Sequence, residues 1–156
     1  LGHLDAVAAT YLVGRNCQIK AQVVAADPTE QGLRAVLNYG HTVGHALERA
    51  AGEWELRHGE VVAAGIVAEA RLAQKLGVAE ESTVARQEEL IAACGLPVRV
   101  AGVQLERARE ALRHDKKVVG GRLRMPLVPE IGSYRLVEDV PLTAVEEAMR
   151  SVIGEA

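Results

Sequence analysis

Between Arg34 and Glu60 the chain reads RAVLNYGHTVGHALERAAGEWELRHGE, and no other stretch limits its fold and chemistry so tightly. His41 and His45 are four apart, so on a helix they project from one face, one turn above each other. Gly40 and Gly44 lie close by in sequence and let another backbone, or a ligand, come near. His58 follows after a loop that carries the single tryptophan, Trp54. Neutral imidazole is the commonest protein ligand for zinc, and two helical histidines joined by a third from another segment form a familiar ligand set. A lone helical HxxxH is nonetheless more often two ordinary histidines than a metal site. His58, beside a glycine and a carboxylate at a helix start, evens that balance. Glu48 and Glu60 are the nearest carboxylates; either could orient a ligand imidazole, or simply face solvent.

The periodicity around this run is helical. Leu4, Val7, Ala8, Tyr11, Leu12, Ile19 and Val23 recur at helical spacing and predict a helix over about 4–24, weakened slightly by Gly14. Asp27-Pro28 breaks it, and Pro at a first helical position predicts a second helix over about 28–37. Further helices are expected over 42–51, over 58–76 ending at Gly77, from Ser82 as N-cap to Gly95, and over 104–113. The period then drops to two in residues 122–128 and 134–137 around Gly132-Ser133, which predicts a β-hairpin. Pro126 assigns the first strand to an edge. A last helix is expected after Pro141, with Thr143 as N-cap and Glu146 as its capping-box partner. No repeat, linker or low-complexity stretch interrupts the pattern. The expected fold class is mainly α, a single multi-helix domain over 1–156 with a small β-hairpin.

Composition narrows the class. Hydrophobic residues make up 49% of the 156, but there is no Phe and one Trp. An alanine-rich, aromatic-poor chain favours closely packed helices, and one domain of this length can bury roughly 70% of its unfolded surface. A net charge of −3 with no basic cluster longer than Lys116-Lys117 gives no support for nucleic-acid binding. No stretch reaches the ~20 apolar residues of a membrane span and no signal peptide is visible. Cys17 and Cys94 each sit in an apolar helical pattern, so both are expected to be buried reduced thiols, consistent with a cytoplasmic location. The chain opens on Leu1, already inside a periodic pattern, and reads as a piece of something longer.

Arg34 and Asn38 stand four apart and Asn38 and His41 three apart. A helix continuing through them would present a cation, an amide and imidazoles on one face, suited to a hydroxylated anionic substrate. Lys20 by itself reads as a solvated lysine at a helix end, and Lys116-Lys117 as a basic turn before Gly120-Gly121.

These residues also carry a resemblance. Leu37-Asn38-Tyr39-Gly40-His41-Thr42-Val43-Gly44-His45-Ala46-Leu47-Glu48 followed by His58-Gly59-Glu60 is similar to the signature of the 3-dehydroquinate synthases, within the sugar-phosphate cyclases. Lys20-Ala21 and then Asp27-Pro28-Thr29-Glu30-Gln31-Gly32-Leu33-Arg34 resemble the family's lysine and its D-x-x-E-x-G-x-R segment. His114-Asp115-Lys116-Lys117, then Gly121-Arg122-Leu123-Arg124 and Ile131-Gly132, resemble its DKK segment and the strands after it. The correspondence keeps this order along nearly the whole chain.

The resemblance implies a C-terminal domain of the dehydroquinate synthase-like fold. It implies zinc, or another divalent metal, held by His41 and His58, with His45 meeting substrate rather than metal. It gives Lys20, Arg34, Asn38 and one of Lys116 and Lys117, with Lys117 favoured, to the phosphate and carboxylate of 3-deoxy-arabino-heptulosonate 7-phosphate. The product is 3-dehydroquinate, on the shikimate route to aromatic amino acids, with NAD as a transient oxidant. The full-length enzyme is expected to be a homodimer. The family's nucleotide-binding domain with its Gly-rich loop is absent here, as is the A-E-x-x-K segment that carries its third zinc ligand, a glutamate. A fragment of this kind is expected to be inactive alone. Two alternatives stand beside it: a sister sugar-phosphate cyclase making a cyclitol, and a non-catalytic helical domain kept for assembly. Lys20, Asn38, His45 and the DKK segment together favour the shikimate branch.

Overall fold

The computed structural model describes residues 5–51, 56–114 and 118–154. Six α-helices and three short strands run in the order α1 (Ala6–Ala26), α2 (His41–Ala50), α3 (His58–Lys75), α4 (Glu81–Ala93), α5 (Leu105–Arg113), β1 (Val118–Val119), β2 (Arg122–Leu127), β3 (Arg135–Pro141) and α6 (Leu142–Arg150). A 3-10 segment, Leu33–Asn38, joins α1 to α2. The mainly helical class and the hairpin agree with the sequence reading.

The core is built around α3, whose Val61, Ala64, Val67, Ala68 and Leu72 are buried along one continuous stripe. Small alanine side chains let α2 settle deep against it through Val43, Leu47 and Ala50. The approach is closest where glycine faces glycine. A Cβ on Gly65 would stand 2.0 Å from the Gly40 carbonyl oxygen, and one on Gly44 3.1 Å from the Val61 carbonyl oxygen. Gly40 also adopts φ +79°, a left-handed conformation that favours glycine. Ion pairs tie the outer helices to this pair: Arg71 of α3 grips Glu88 of α4 at 2.7 and 3.0 Å and the Ser151 carbonyl beyond α6 at 2.9 Å. The largely buried Glu146 of α6 receives Arg113 of α5 at 3.0 Å.

Several sequence expectations are corrected. The helix expected from Pro28 forms only as the 3-10 segment, because the Asp27 carboxylate accepts the amides of Gln31, Gly32 and Arg34 at 2.8–3.0 Å. Local bonds of this kind compete with helix formation, and Glu30 adopts φ +57°, which a right-handed helix excludes. Helix α4 is entered through Glu80, not Ser82. Helix α6 starts at Leu142 after Pro141 without a side-chain cap; Glu146 is taken by Arg113 and does not form the expected capping box. Cys94, at the end of α4, is half-buried, and Cys17 is exposed, because α1 buries none of its residues and leaves Val7 and Tyr11 80% and 69% exposed. Its length and the Asp5 carboxylate, which accepts the Ala8 amide at 2.7 Å, define it instead.

The hairpin gains a third strand, in the order β1-β2-β3. Val119 faces Arg122 across Gly120-Gly121, both at positive φ, the geometry of a two-residue hairpin turn. Strand β2 is therefore central at its start, while Pro126, opposite Leu136, lies beyond the reach of β1, where its missing N–H costs no ladder bond. No described helix is long and apolar enough to cross a membrane.

Gly65→Ala should destabilise the protein by about 1–3 kcal/mol or more, the cost of overpacking a site that cannot yield. Gly14→Ala, in open space in mid-helix, should stabilise it by about 0.5–1 kcal/mol. Chemical denaturation of both variants checks the pair, and opposite signs are the expected outcome.

Candidate metal centre

Helix α2 begins at His41, so His41 and His45 do occupy one helical face, and the first residue of α3 is His58. Their rings form a near-equilateral triangle, with centroids 5.5 Å (His41–His45), 5.6 Å (His41–His58) and 5.8 Å (His45–His58) apart. The triangle follows from the fold: the glycine contact brings the start of α2 against α3.

Each outer imidazole has a partner on one nitrogen. His41 Nδ1 lies 3.2 Å from the Tyr39 carbonyl; donating its proton there leaves Nε2 with a lone pair for a ligand. His58 Nδ1 faces the Glu48 carboxylate at 3.4 Å, both side chains about half exposed. Carbonyl and carboxylate partners of this kind fix tautomer and ring orientation in metal-ligating histidines. Glu60 does not serve here, since it accepts the Arg57 amide at 3.0 Å and caps α3. Among the described residues, His45, Glu48 and His58 bring ligand atoms within 4.8 Å of one another. The donor set, imidazole with carboxylate, suits zinc or a similar divalent ion.

Arg34 and Asn38 are engaged by partners outside this triangle. The Arg34 guanidinium donates to the Pro28 carbonyl at 2.8 Å. Asn38 donates to Glu30 at 2.5 Å and lines a cavity of about 230 Å³ with Ala35, Arg124 and Leu136. Lys20 is exposed on α1. Lys116 and Lys117, like Trp54, lie outside the described residues. The single helix expected to carry Arg34, Asn38 and the imidazoles on one face is interrupted at Gly40, so their alignment is set by the turn instead.

A larger cleft of about 520 Å³, walled by Leu33, Val36, Ile66, Leu90 and Ile131, is almost wholly apolar and contains none of the histidines. Among its few polar groups is Tyr39, whose hydroxyl donates to Gln87 at 2.8 Å. Burial, and then the neighbouring Glu69 carboxylate, push the Tyr39 phenol well above its ordinary range, against a smaller opposite effect of Gln87. It is a structural hydrogen-bond donor at any physiological pH. We give the functional role to the imidazole triangle, because size alone supplies no chemistry.

Sequence reasoning overlooked two residues. The breaker and segment signals at Asp27 do not reveal that its carboxylate organises the turn leading into Arg34. Glu69, embedded in an apolar helix, is fully buried and accepts the Gly40 amide at 2.8 Å and the Val43 amide at 3.4 Å. A carboxylate inside a run of alanines and valines was the available signal.

A family model described as 3-dehydroquinate synthase C-terminal matches residues 1–118. The chain belongs to this family. It is 43% identical over 92% of its length to a 3-dehydroquinate synthase from Synechococcus sp., of which it covers 39%. The chain thus spans about two fifths of the length of the curated relatives it matches. Among solved structures it resembles 2-epi-5-epi-valiolone synthase from Streptomyces hygroscopicus subsp. jinggangensis, with NAD+ and Zn2+ bound. There the TM-score is 0.77 at 28% identity, over 95% of this chain and 41% of that one. It also resembles a 2-deoxy-scyllo-inosose synthase complexed with carbaglucose-6-phosphate, NAD+ and Co2+, at TM-score 0.73 and 25% identity, over 85% and 39% of the two chains.

The Arg34 amide, followed by those of Gln31 and Gly32, holds the Asp27 carboxyl below its ordinary value of 3.8. A depressed carboxyl stabilises the fold above its unfolded pKa, and that stabilisation fades as pH falls through the lower folded value. Asp27→Asn should therefore speed amide exchange at Gly32 and Arg34 at neutral pH. The difference from wild type should shrink as the pH is lowered below about 3.8; a difference that is constant with pH would remove Asp27's charge from the account.

Proposed function

We infer that this chain is the C-terminal, metal- and substrate-binding portion of a 3-dehydroquinate synthase, which converts 3-deoxy-arabino-heptulosonate 7-phosphate into 3-dehydroquinate and phosphate. The observation that carries the reading is the convergence of three imidazoles, drawn from two helices, inside a chain that belongs to this family. A sister cyclase is the second reading, since two solved structures that resemble the chain are of that kind. The greater identity to 3-dehydroquinate synthases, 43% against 28%, favours the first.

In this reading His41 and His58 hold a divalent metal through the nitrogens left free by Tyr39 and Glu48. The bound metal supplies Lewis acidity toward a substrate hydroxyl. His45, one turn from His41, meets the substrate and holds or passes a proton. Arg34 offers a planar set of donors to carboxylate or phosphate, pre-positioned by the turn that Asp27 organises, and Asn38 offers an amide to a hydroxyl. Lys20 and Lys117, or its neighbour Lys116, add compact positive charge for the phosphate. No Gly-rich phosphate loop occurs in this sequence, and none of its residues is assigned to NAD; in this reading NAD is held by the remainder of the full-length enzyme, a cytoplasmic homodimer.

The chain alone, given NAD and metal, should form no dehydroquinate; turnover by the purified chain would overturn the proposed division of labour. Zinc titration of His41→Ala, His45→Ala and His58→Ala addresses the ligand set. Affinity should fall more for His41 and His58 than for His45. Equal losses for all three, or a preferential loss with Glu48→Gln and His45→Ala, would shift the ligands to the His45–Glu48–His58 cluster. In the full-length enzyme His45→Ala should lower turnover about 10²–10⁴-fold, the usual contribution of a positioned acid–base group, with metal content and melting temperature kept. Loss of the metal would instead make His45 a ligand.

A further inference from the structure

Helix α2 lacks a capping side chain of its own. The residue at its N-cap position is Gly40, and this position cannot be changed cheaply: a Cβ there would lie 2.5 Å from Ile66 Cγ1 and 2.8 Å from the Val62 carbonyl oxygen, in a left-handed backbone. Ser, Thr, Asp or Asn normally accept an orphan amide at that point. None can be accommodated here. The missing acceptor arrives from the neighbouring helix. Glu69 of α3, 0% exposed, accepts the Gly40 amide through Oε2 at 2.8 Å and the Val43 amide through Oε1 at 3.4 Å. A buried carboxylate is costly unless it is compensated, and the positive end of a helix dipole together with two amide donors is such compensation.

The placement matters for the site. Glu69 holds the turn of α2 that carries His41, and the next turn carries His45. It stands on the same helix as His58, eleven residues (about three turns) further along. A single side chain thus links the two helices that supply the imidazoles and limits how α2 can slide or rotate over α3. The geometry points to Glu69 as a positioning residue of the metal centre: a cap supplied in trans by α3 that sets the distance between the α2 imidazoles and His58. This inference rests on the metal-site reading proposed above. It adds a residue that touches neither metal nor substrate.

The test is cobalt binding to the full-length protein, followed by its visible absorption, with melting temperature recorded on the same samples. Glu69→Gln keeps the shape but turns an NH2 group toward one of the two amides. It should weaken cobalt binding at least about tenfold, the usual cost of losing a partner that orients a ligand, and alter the absorption bands of the bound ion. Met149→Ala, a truncation of the core on α6, is the control for stability alone; it should lower the melting temperature and leave both cobalt readouts unchanged. Equal cobalt affinity and spectrum in wild type and Glu69→Gln would overturn the inference, whatever happens to the melting temperature. Should Glu69→Gln not fold, amide exchange in the wild type decides the matter. Cobalt should slow exchange at Gly40 and Val43 well beyond its effect on α6, and equal slowing of both regions would overturn the inference. His41→Ala and His58→Ala separate the two proposals, since normal cobalt binding in both would sink the metal site itself and Glu69's role with it.

Discussion

The approach of α2 to α3 is the constraint on which the rest of the structure depends. Two helices lie this close only where side chains vanish, and here the Gly65 position accepts the Gly40 carbonyl oxygen where a Cβ would otherwise sit. The close approach buries the stripe of alanine and valine that makes up the centre of the core. It also fixes the one place where a carboxylate from α3 can reach the first amides of α2. Packing and capping are therefore one device, and its outcome is a triangle of imidazoles within 6 Å of one another.

That arrangement explains how a chain with few aromatic residues builds a rigid site. Large side chains usually set helix spacing by interlocking; alanine and glycine set it by backbone contact, which leaves less room for adjustment. The imidazoles gain precision from this, and two neighbouring residues support them: Tyr39 offers its carbonyl to His41 and its hydroxyl to Gln87, while Glu48 faces His58. The turn over 27–34 does the same for the anion-binding candidates, with Asp27 gathering three amides, the last of them that of Arg34 itself. The residues proposed for metal and substrate, His41, His45 and His58 with Arg34 and Asn38, thus lie on two adjoining units, a helix pair and the segment after a carboxylate-centred turn.

Much of the fold was legible in the sequence. Apolar spacing together with cap and breaker residues located all six described α-helices, but the helix expected over 28–37 forms only as a 3-10 segment. Glycine and proline marked most of the boundaries, and the change to period two located the hairpin. The boundaries that failed did so for local reasons: Asp27 draws amides away from a helix, and Glu146 finds an arginine across space rather than a cap. Strand β1 was missed because two residues show no period, although Gly120-Gly121 was a signal for its turn. Periodicity found α1 but implied a buried face, while the described residues leave that face uncovered.

The residue types and spacing of His41, His45 and His58 were fixed by the sequence alone, as were their phases on helices and the family pattern they belong to. That is so because helical period and ligand chemistry are properties of a short stretch of chain. Only the tertiary structure decided which groups meet. The break at Gly40, the partner on each imidazole nitrogen and the reach of Glu69 to the Gly40 amide all depend on how closely two helices pack. Glu69 and Gly40 are 29 residues apart, and no local pattern encodes a contact of that range.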